Sequence, residues 1–467
     1  MPVSLHETER SMLGEIYASD ESRLVHHRLC SFGSRFAGTP GERRAVRYIA
    51  SKLGEYGLSN VHTEEFQYNG WKRGSTKLEI VSPVHHTLSC IGMPWSPSTE
   101  ANGVEAELLN LGDGMNVDFH LHGGDVPGKV VMATAFSPPW MRAAHRCEKM
   151  GRAENLGAVG FIYVKNDPGL LEETGVATWS CPREMGRIAR LPGVGVSRET
   201  GSYLERLLTE GPVSIRITMK HWSGPATGWN IMGDVEGQRD GGEVLIVGAH
   251  FDGHDIAVGA MDDAAGACVV MEAARAMARH ARNLRRTVRF VAFPGEEVGC
   301  FGSTAYVDRH LKELGLTRFM LNLDGAGRGV RPGMLLQGFP DAISFFKRIG
   351  AEMGTSLKTG VNFGLYSDHM PYTIRGVETC NLASADAFRA NTGTRGFGHT
   401  KADTEDKVSL LDLQEWAAMA SRIMTRIATR EELPFRLRTA AEVRSMLAGY
   451  GLDEVMRIQQ GWPSYLD

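Results

Sequence analysis

Apolar and polar positions fall into two textures along the chain. From about residue 225 onward, near-continuous apolar runs alternate with amphipathic stretches: "EVLIVGA", "DAAGACVVMEAARAMARH", "TVRFVAF", "GSTAYVDRHLKEL" and "RFMLNLD". Short runs that are apolar on both sides, separated by helical patterns, predict a mostly parallel mixed sheet with helices on both faces. Nearer the N-terminus, "LVHHRLCSFGSRFAGTPGERRAVRYIASKLGEYGL" predicts a helix, a Gly/Pro-bounded loop and a second helix with Val46, Ile49 and Leu53 on one face. "VHTEEFQYN" and "TKLEIVSP" predict strands. From Val84 to Gly224 the texture changes to short β-type runs, "GKVVMATAF", "AVGFIYVK" and "LPGVGVS", with a helical "AAHRCEKMGRAENLGA" after the first. The prediction is therefore an α/β catalytic-type domain in two parts, residues 1–83 and 225–430, around an inserted β-rich domain, residues 84–224. Residues 431–467 form a helical extension that either docks on its own subunit or contributes to a homo-oligomer interface.

Composition narrows the function classes. Hydrophobic residues make up 42% and charged residues 23% of the 467 positions, which excludes a disordered or fibrous chain. A net charge of -4 argues against a nucleic-acid binder that works by neutralising phosphates. The basic run from Arg279 to Arg289 reads as a solvated helix end. Seven cysteines without a CxxC pairing suit free thiols in a reducing compartment. No apolar run reaches membrane-spanning length, and "MPVSLHETERSMLGEIYASDESR" lacks a signal-peptide pattern, so the expectation is a cytoplasmic protein with no membrane partner.

In parallel sheets, ligands sit beyond the carboxyl ends of the strands. His250 lies just past "VLIVGA", Glu296 and Glu297 just past "VRFVAF", and Asp324 at the end of "FMLNLD". Asp262, at the start of the next helix, can fold back to the same edge, and "GFGHTKADT" supplies His399. Two histidines with three carboxylates suit a pair of zinc ions: each takes one imidazole, one terminal carboxylate, a shared carboxylate and a water. Zinc lowers the pKa of such a water to about 7, and of two adjacent glutamates one can bind metal while the other takes the proton. Asp263 reads as a helix N-cap.

"HFDGHDIAVGAMDD", "PGEEVGCFGS", "NLDGAG" and "GHTKADT", in that order, resemble the signature set of the dinuclear-zinc exopeptidases, which include bacterial aminopeptidases, plasma glutamate carboxypeptidase and the inactive transferrin receptor. The inserted block is similar to a protease-associated domain. The resemblance implies the zinc exopeptidase fold, His250 and Asp324 on one zinc, Glu297 and His399 on the other, and Asp262 bridging. It also implies Glu296 as general base, Asp252 orienting His250, Asp403 serving His399, and a cis peptide between Asp262 and Asp263. Cobalt or manganese are alternative metals.

Other features are weaker. In "SDHMP", Asp368 and His369 either touch substrate or belong to a helix start capped by Ser367. His120 and His122 read as a loop, Cys268 as core, and His254 and Asp255 have no assignment. HExxH, GxSxG and P-loop motifs are absent. The expected function is zinc-dependent hydrolysis of a peptide or small amide, an aminopeptidase first. A carboxypeptidase, dipeptidase or non-peptide amidohydrolase would use the same centre, with Arg328, Arg331, Arg375, Arg389 and Arg395 as candidate cations for a substrate carboxylate. The complete ligand set argues against a receptor-like binding protein and against a single-zinc glutaminyl cyclase.

Overall fold

The alternating runs in the second half of the chain form one eight-stranded sheet. In the computed structural model, which describes residues 4–238, 242–281, 284–388 and 396–467, its order is Ser59–Lys72, Trp222–Val235, Thr287–Phe293, Val244–His250, Thr317–Asn322, Thr379–Ala383, Gly333–Gln337 and Thr359–Asn362. The four strands from Thr287–Phe293 to Thr379–Ala383 are mutually parallel, and antiparallel strands flank them. This is the mixed α/β sheet that the pattern predicts. Along Val244–His250, Leu245, Val247 and Ala249 enter a core with helices Pro40–Glu55, Ala265–Ala278 and Leu410–Thr429, while Ile246 enters a second core with Val291, Tyr306 and Tyr372. Side chains alternate between the faces of a strand, so a run buried on both sides is apolar at every position.

The inserted domain has its own sheet, in the order His86–Leu88, Thr76–Ser82, Ser214–Met219, Val104–Asn110, Val130–Thr134, Gly160–Val164, Gly193–Val196 and Ile91–Gly92. Its helices include Arg146–Asn155 and Arg198–Glu210. Thr76–Ser82 thus lies in the inserted sheet, ahead of the boundary expected at residue 84, and Trp222–Gly224 belongs to the catalytic sheet. The apolar alternation Leu78, Ile80 fits a strand in either sheet, so the pattern alone does not say which. Ser59–Lys72 pairs with Trp222–Val235 from Ser59↔Asp234 to Lys72↔Trp222, so the chain leaves and re-enters the catalytic domain at adjacent points.

The extension docks on its own chain. Helices Ala440–Gly449 and Leu452–Ile458 bury Val443, Leu447, Val455 and Met456 against Phe339, Phe363, Met370 and Ile374. Glu454 also pairs with Arg152 of the inserted domain at 3.0 Å. Among the described residues, no helix is long and apolar enough to cross a membrane.

Candidate metal centre

Three neighbouring parallel strands end at the same edge, which brings their following residues together. His250 ends its strand opposite Phe293, and Glu296 and Glu297 follow three and four residues after Phe293. Asp324 follows the strand Thr317–Asn322. The loop after His250 returns Asp262 to this edge. Its path is fixed by Arg35, fully buried, whose guanidinium donates to the carbonyls of Phe251 (2.6 Å), Val258 (2.5 Å) and Gly259 (2.8 Å). Arg35 was not singled out in the sequence, because an arginine that serves carbonyls distant in the chain leaves no local pattern. The peptide between Asp262 and Asp263 is cis, as the resemblance implies.

The five expected ligands converge. His250 Nε2 lies 3.4 Å from Asp262 Oδ1 and 3.8 Å from Asp324 Oδ1. His399 Nε2 lies 3.5 Å from Asp262 Oδ2 and 3.2 Å from Glu297 Oε2. Donors bound tetrahedrally at 2.0–2.1 Å stand about 3.3 Å from one another, so both groups are spaced to hold an ion. Asp262 presents one carboxylate oxygen to each group, the disposition of a bridging ligand. His250 Nε2 is buried and has no hydrogen-bond partner, as befits an atom whose partner is a cation.

Outer contacts aim these ligands. Asp252 lies 3.4 Å from His250 Nδ1 and accepts the main-chain N–H groups of Glu296 (3.1 Å) and Glu297 (3.2 Å), so one carboxylate positions three residues of the centre. Ser367 does not act as a side-chain helix cap: its hydroxyl donates to Asp324 Oδ2 at 2.6 Å and accepts from Asn322 at 2.7 Å. Asp403 accepts from the amides of Met261 and Asp262 and so holds the bridging residue rather than His399. His399 Nδ1 instead faces the carbonyl of Thr174, in the inserted domain, at 3.2 Å, while Thr174 N–H donates to His399 O at 2.9 Å. A carbonyl only accepts, so Nδ1 carries the proton and the Nε2 lone pair faces the metal position. Asp263 accepts from Gly266 N–H at 2.8 Å in the first turn of the following helix, but the N-cap position itself is Ala264, one residue later than expected.

The adjacent glutamates are driven apart electrostatically. Burial, reinforced by Asp324 and Glu297, pushes Glu296 well above the usual carboxylate range against the pull of His250. Burial would raise Glu297 too, but His254 and His399 beside it outweigh that and hold it well below. The neighbouring acids thus sit in opposite environments.

Other candidates separate from the centre. Asp368 is buried, accepts from Ser303 Oγ at 2.6 Å, and is pushed up to about 7 by burial. His369 donates to Gly364 O at 3.0 Å. Neither lines the cleft; Tyr366 does. His120 and His122 sit exposed on the short helix Asn116–His122, not in a loop. Cys268 is buried core. Arg328 lies 3.6 Å from Asp262, Arg375 pairs with Asp308 and covers Tyr465, and Arg389 and Arg395 fall outside the described residues. Asp255 binds Arg73, at the foot of the insertion, through two 2.7 Å contacts. The cleft, about 40 Å³, runs between the ligands and a roof of His145, Arg146 and Trp179 from the inserted domain with Tyr366. His145 stacks on Tyr366 at 3.7 Å, and Gln459 of the extension donates to the Tyr366 hydroxyl at 2.7 Å.

Residues 230–424, which carry all five ligands, match peptidase family M28. Residues 230–424 thus form a peptidase family M28 domain. Residues 81–204 match the PA domain, so a PA domain interrupts the M28 fold where the second sheet lies. Carboxypeptidase Q of Xenopus laevis is 25% identical over 316 residues, 66% of this chain and 66% of that protein, just under two thirds of its length. Aminopeptidase YwaD of Bacillus subtilis is 26% identical over 412 residues, 86% of this chain and 83% of that one. The solved structure of BSAP, a zinc aminopeptidase from Bacillus subtilis, shares the fold with a TM-score of 0.64 at 22% identity, covering 92% of this chain and 97% of that one. The M28 and PA domains here therefore have the combined fold of such proteins, and the roof residues His145, Arg146 and Trp179 belong to the PA domain, while Tyr366 does not.

Proposed function

We propose that this M28 protein is a dinuclear zinc exopeptidase, an aminopeptidase that releases N-terminal residues from peptides. The observation that carries the reading is the shared carboxylate: Asp262 gives one oxygen to the His250–Asp324 group and the other to the His399–Glu297 group, with Glu296 alongside. When bound, two zinc ions supply Lewis acidity toward the scissile carbonyl and acidify water. Cobalt or manganese would suit the same N/O donors. Glu296, held beside the ligand residues by the Asp252 bond to its amide, would take the proton of the attacking water and deliver it to the leaving amine. Asp252 keeps the imidazole of His250 and the backbone of both glutamates in register through this transfer. The cluster of carboxylates attracts a free ammonium group.

One observation favours a second reading, a carboxypeptidase or dipeptidase. Arg146 is 3% exposed, lines the cleft and has a buried Nη1 without a hydrogen-bond partner. Its guanidinium lies across Gly175, where a Cβ would come within 2.0 Å of Cζ. A cation in that place suits a substrate carboxylate. Metal content per chain, with hydrolysis of free-amine aminoacyl amides, amine-blocked analogues and peptides with a free carboxyl end, separates these outcomes. Two ions and cleavage of free-amine substrates only support the aminopeptidase; cleavage of blocked peptides that requires a free carboxyl end moves the function to the second reading; no metal and no turnover removes both.

A further inference from the structure

His254 stands four residues after His250, in the loop that Arg35 staples, and sequence reading gave it no role. It is 3% exposed. One ring face stacks on Phe36, with centroids 6.1 Å apart at 27°, and His399 meets it edge-on at 4.3 Å and 73°. A polar ring buried against an aromatic one is costly unless it is paired. The pairing it finds is with the metal centre: His254 Nε2 lies 2.9 Å from Glu297 Oε2, with His399 Nδ1, itself a donor to Thr174 O, 3.2 Å away. A carboxylate only accepts, so the nitrogen facing Glu297 is the proton-bearing one.

From this geometry we infer that His254 is a positioning residue for the Glu297–His399 half of the centre, setting how tightly that half holds its ion without binding the ion itself. The inference rests on the two-ion reading above. His254 is not a further ligand of the same ion, because its Nε2 sits beside Nδ1 of His399. That nitrogen is on the far edge of the ring from the Nε2 that faces Asp262 and Glu297. It acts through its partners: it fixes one oxygen of Glu297 by a hydrogen bond and closes off the space into which the His399 ring would swing.

The two halves of the centre share Asp252, which also holds the Glu297 amide, but their ligand side chains are otherwise aimed by different groups. His250 and Asp324 are aimed by Asp252 and Ser367. Glu297 and His399 are aimed by His254 and by the Thr174 carbonyl. Removing an outer partner of a metal ligand weakens binding by about 10–100-fold, and here the loss should fall on one ion only.

The test compares full-length wild type with His254→Phe, which fills the space without a donor, and His254→Gln, whose amide N–H can reach Glu297. Zinc binding is followed by competition with chelators of graded affinity, alongside thermal unfolding of the metal-free proteins. The expected result is two ions in wild type. In His254→Phe, one ion should be about 10–100-fold weaker and the other unchanged; most of the loss should be recovered in His254→Gln, with similar metal-free unfolding in all three. Equal weakening of both ions, unchanged binding, or a Gln variant no better than Phe would overturn the inference. A wild-type chain that saturates with one ion would instead remove the two-ion reading beneath it, whatever the variants do.

Discussion

Truncating a buried guanidinium leaves its acceptors behind. Arg35→Met would strand the carbonyls of Phe251, Val258 and Gly259, each of which now accepts from it. Each unsatisfied buried acceptor costs about 1–3 kcal/mol, so we expect roughly 3 kcal/mol or more of lost stability, read as a fall in Tm. Because the same loop presents His250 and Asp262, metal affinity should fall with it. An unchanged Tm would show that the loop holds its shape by other means. Glu296→Gln works in the opposite way: turnover should drop by about two to four orders of magnitude while metal content stays near wild type, since Glu296 moves a proton and Glu297 holds the ion. Loss of metal in that variant would exchange the two roles. His250, Glu297 and Asp324 were legible in the sequence because each ends or follows a distinctive apolar strand, whereas Asp262, at a helix start, and His399, in a loop, were legible only from the motifs around them. Arg35, Ser367 and Thr174 were not, because each acts on a residue remote in the chain and is of an ordinary type for its local surroundings.

The helix Pro40–Glu55 carries a group whose charge opposes folding. Glu42, in its first turn, is fully buried, accepts from Gly38 N–H at 2.7 Å, and leaves Oε1 without a partner. Burial pushes its carboxyl up to about 8 from the usual value near 4.5. Between those values the folded chain keeps a proton that the unfolded chain has released, so this group costs stability progressively as pH rises from about 4.5 to 8. Glu42→Gln removes that dependence. The Tm difference between variant and wild type should move in the variant's favour, by a few degrees, on going from pH 5 to pH 8; a difference that is flat with pH would mean that Glu42 ionises freely in the folded state. Element prediction from periodicity succeeded where runs were long and apolar, as in Val244–His250 and Thr287–Phe293. It missed Gly333–Gln337, Thr359–Asn362 and Thr379–Ala383, which are four or five residues long, and two of which mix in Asn and Thr. Those strands are held by their neighbours in the sheet more than by their own pattern.

At the scale of the whole molecule, the extension braces both domains. Leu447 is fully buried among Phe339, Phe363 and Met456, and the neighbouring helix carries Glu454 to Arg152 and leads to Gln459, which holds Tyr366. Leu447→Asp places an unpaired charge in that contact. We expect a loss of about 3 kcal/mol or more, faster proteolysis of residues 431–467, and a raised KM as the cleft roof loosens. Wild-type proteolysis rates would show that the tail is dispensable to the roof. The paired strands Ser59–Lys72 and Trp222–Val235 have a further consequence for anyone who rebuilds this protein. Since Lys72 lies opposite Trp222, the PA domain could be cut out and the ends rejoined by a short turn with little disturbance to the catalytic sheet. The shortened chain would keep His250, Asp262 and Asp324 but would lose the Thr174 carbonyl that orients His399 and the guanidinium that roofs the cleft. Covalent modularity and chemical modularity part company here, and a minimal enzyme made by that excision should fold yet hold its second ion poorly.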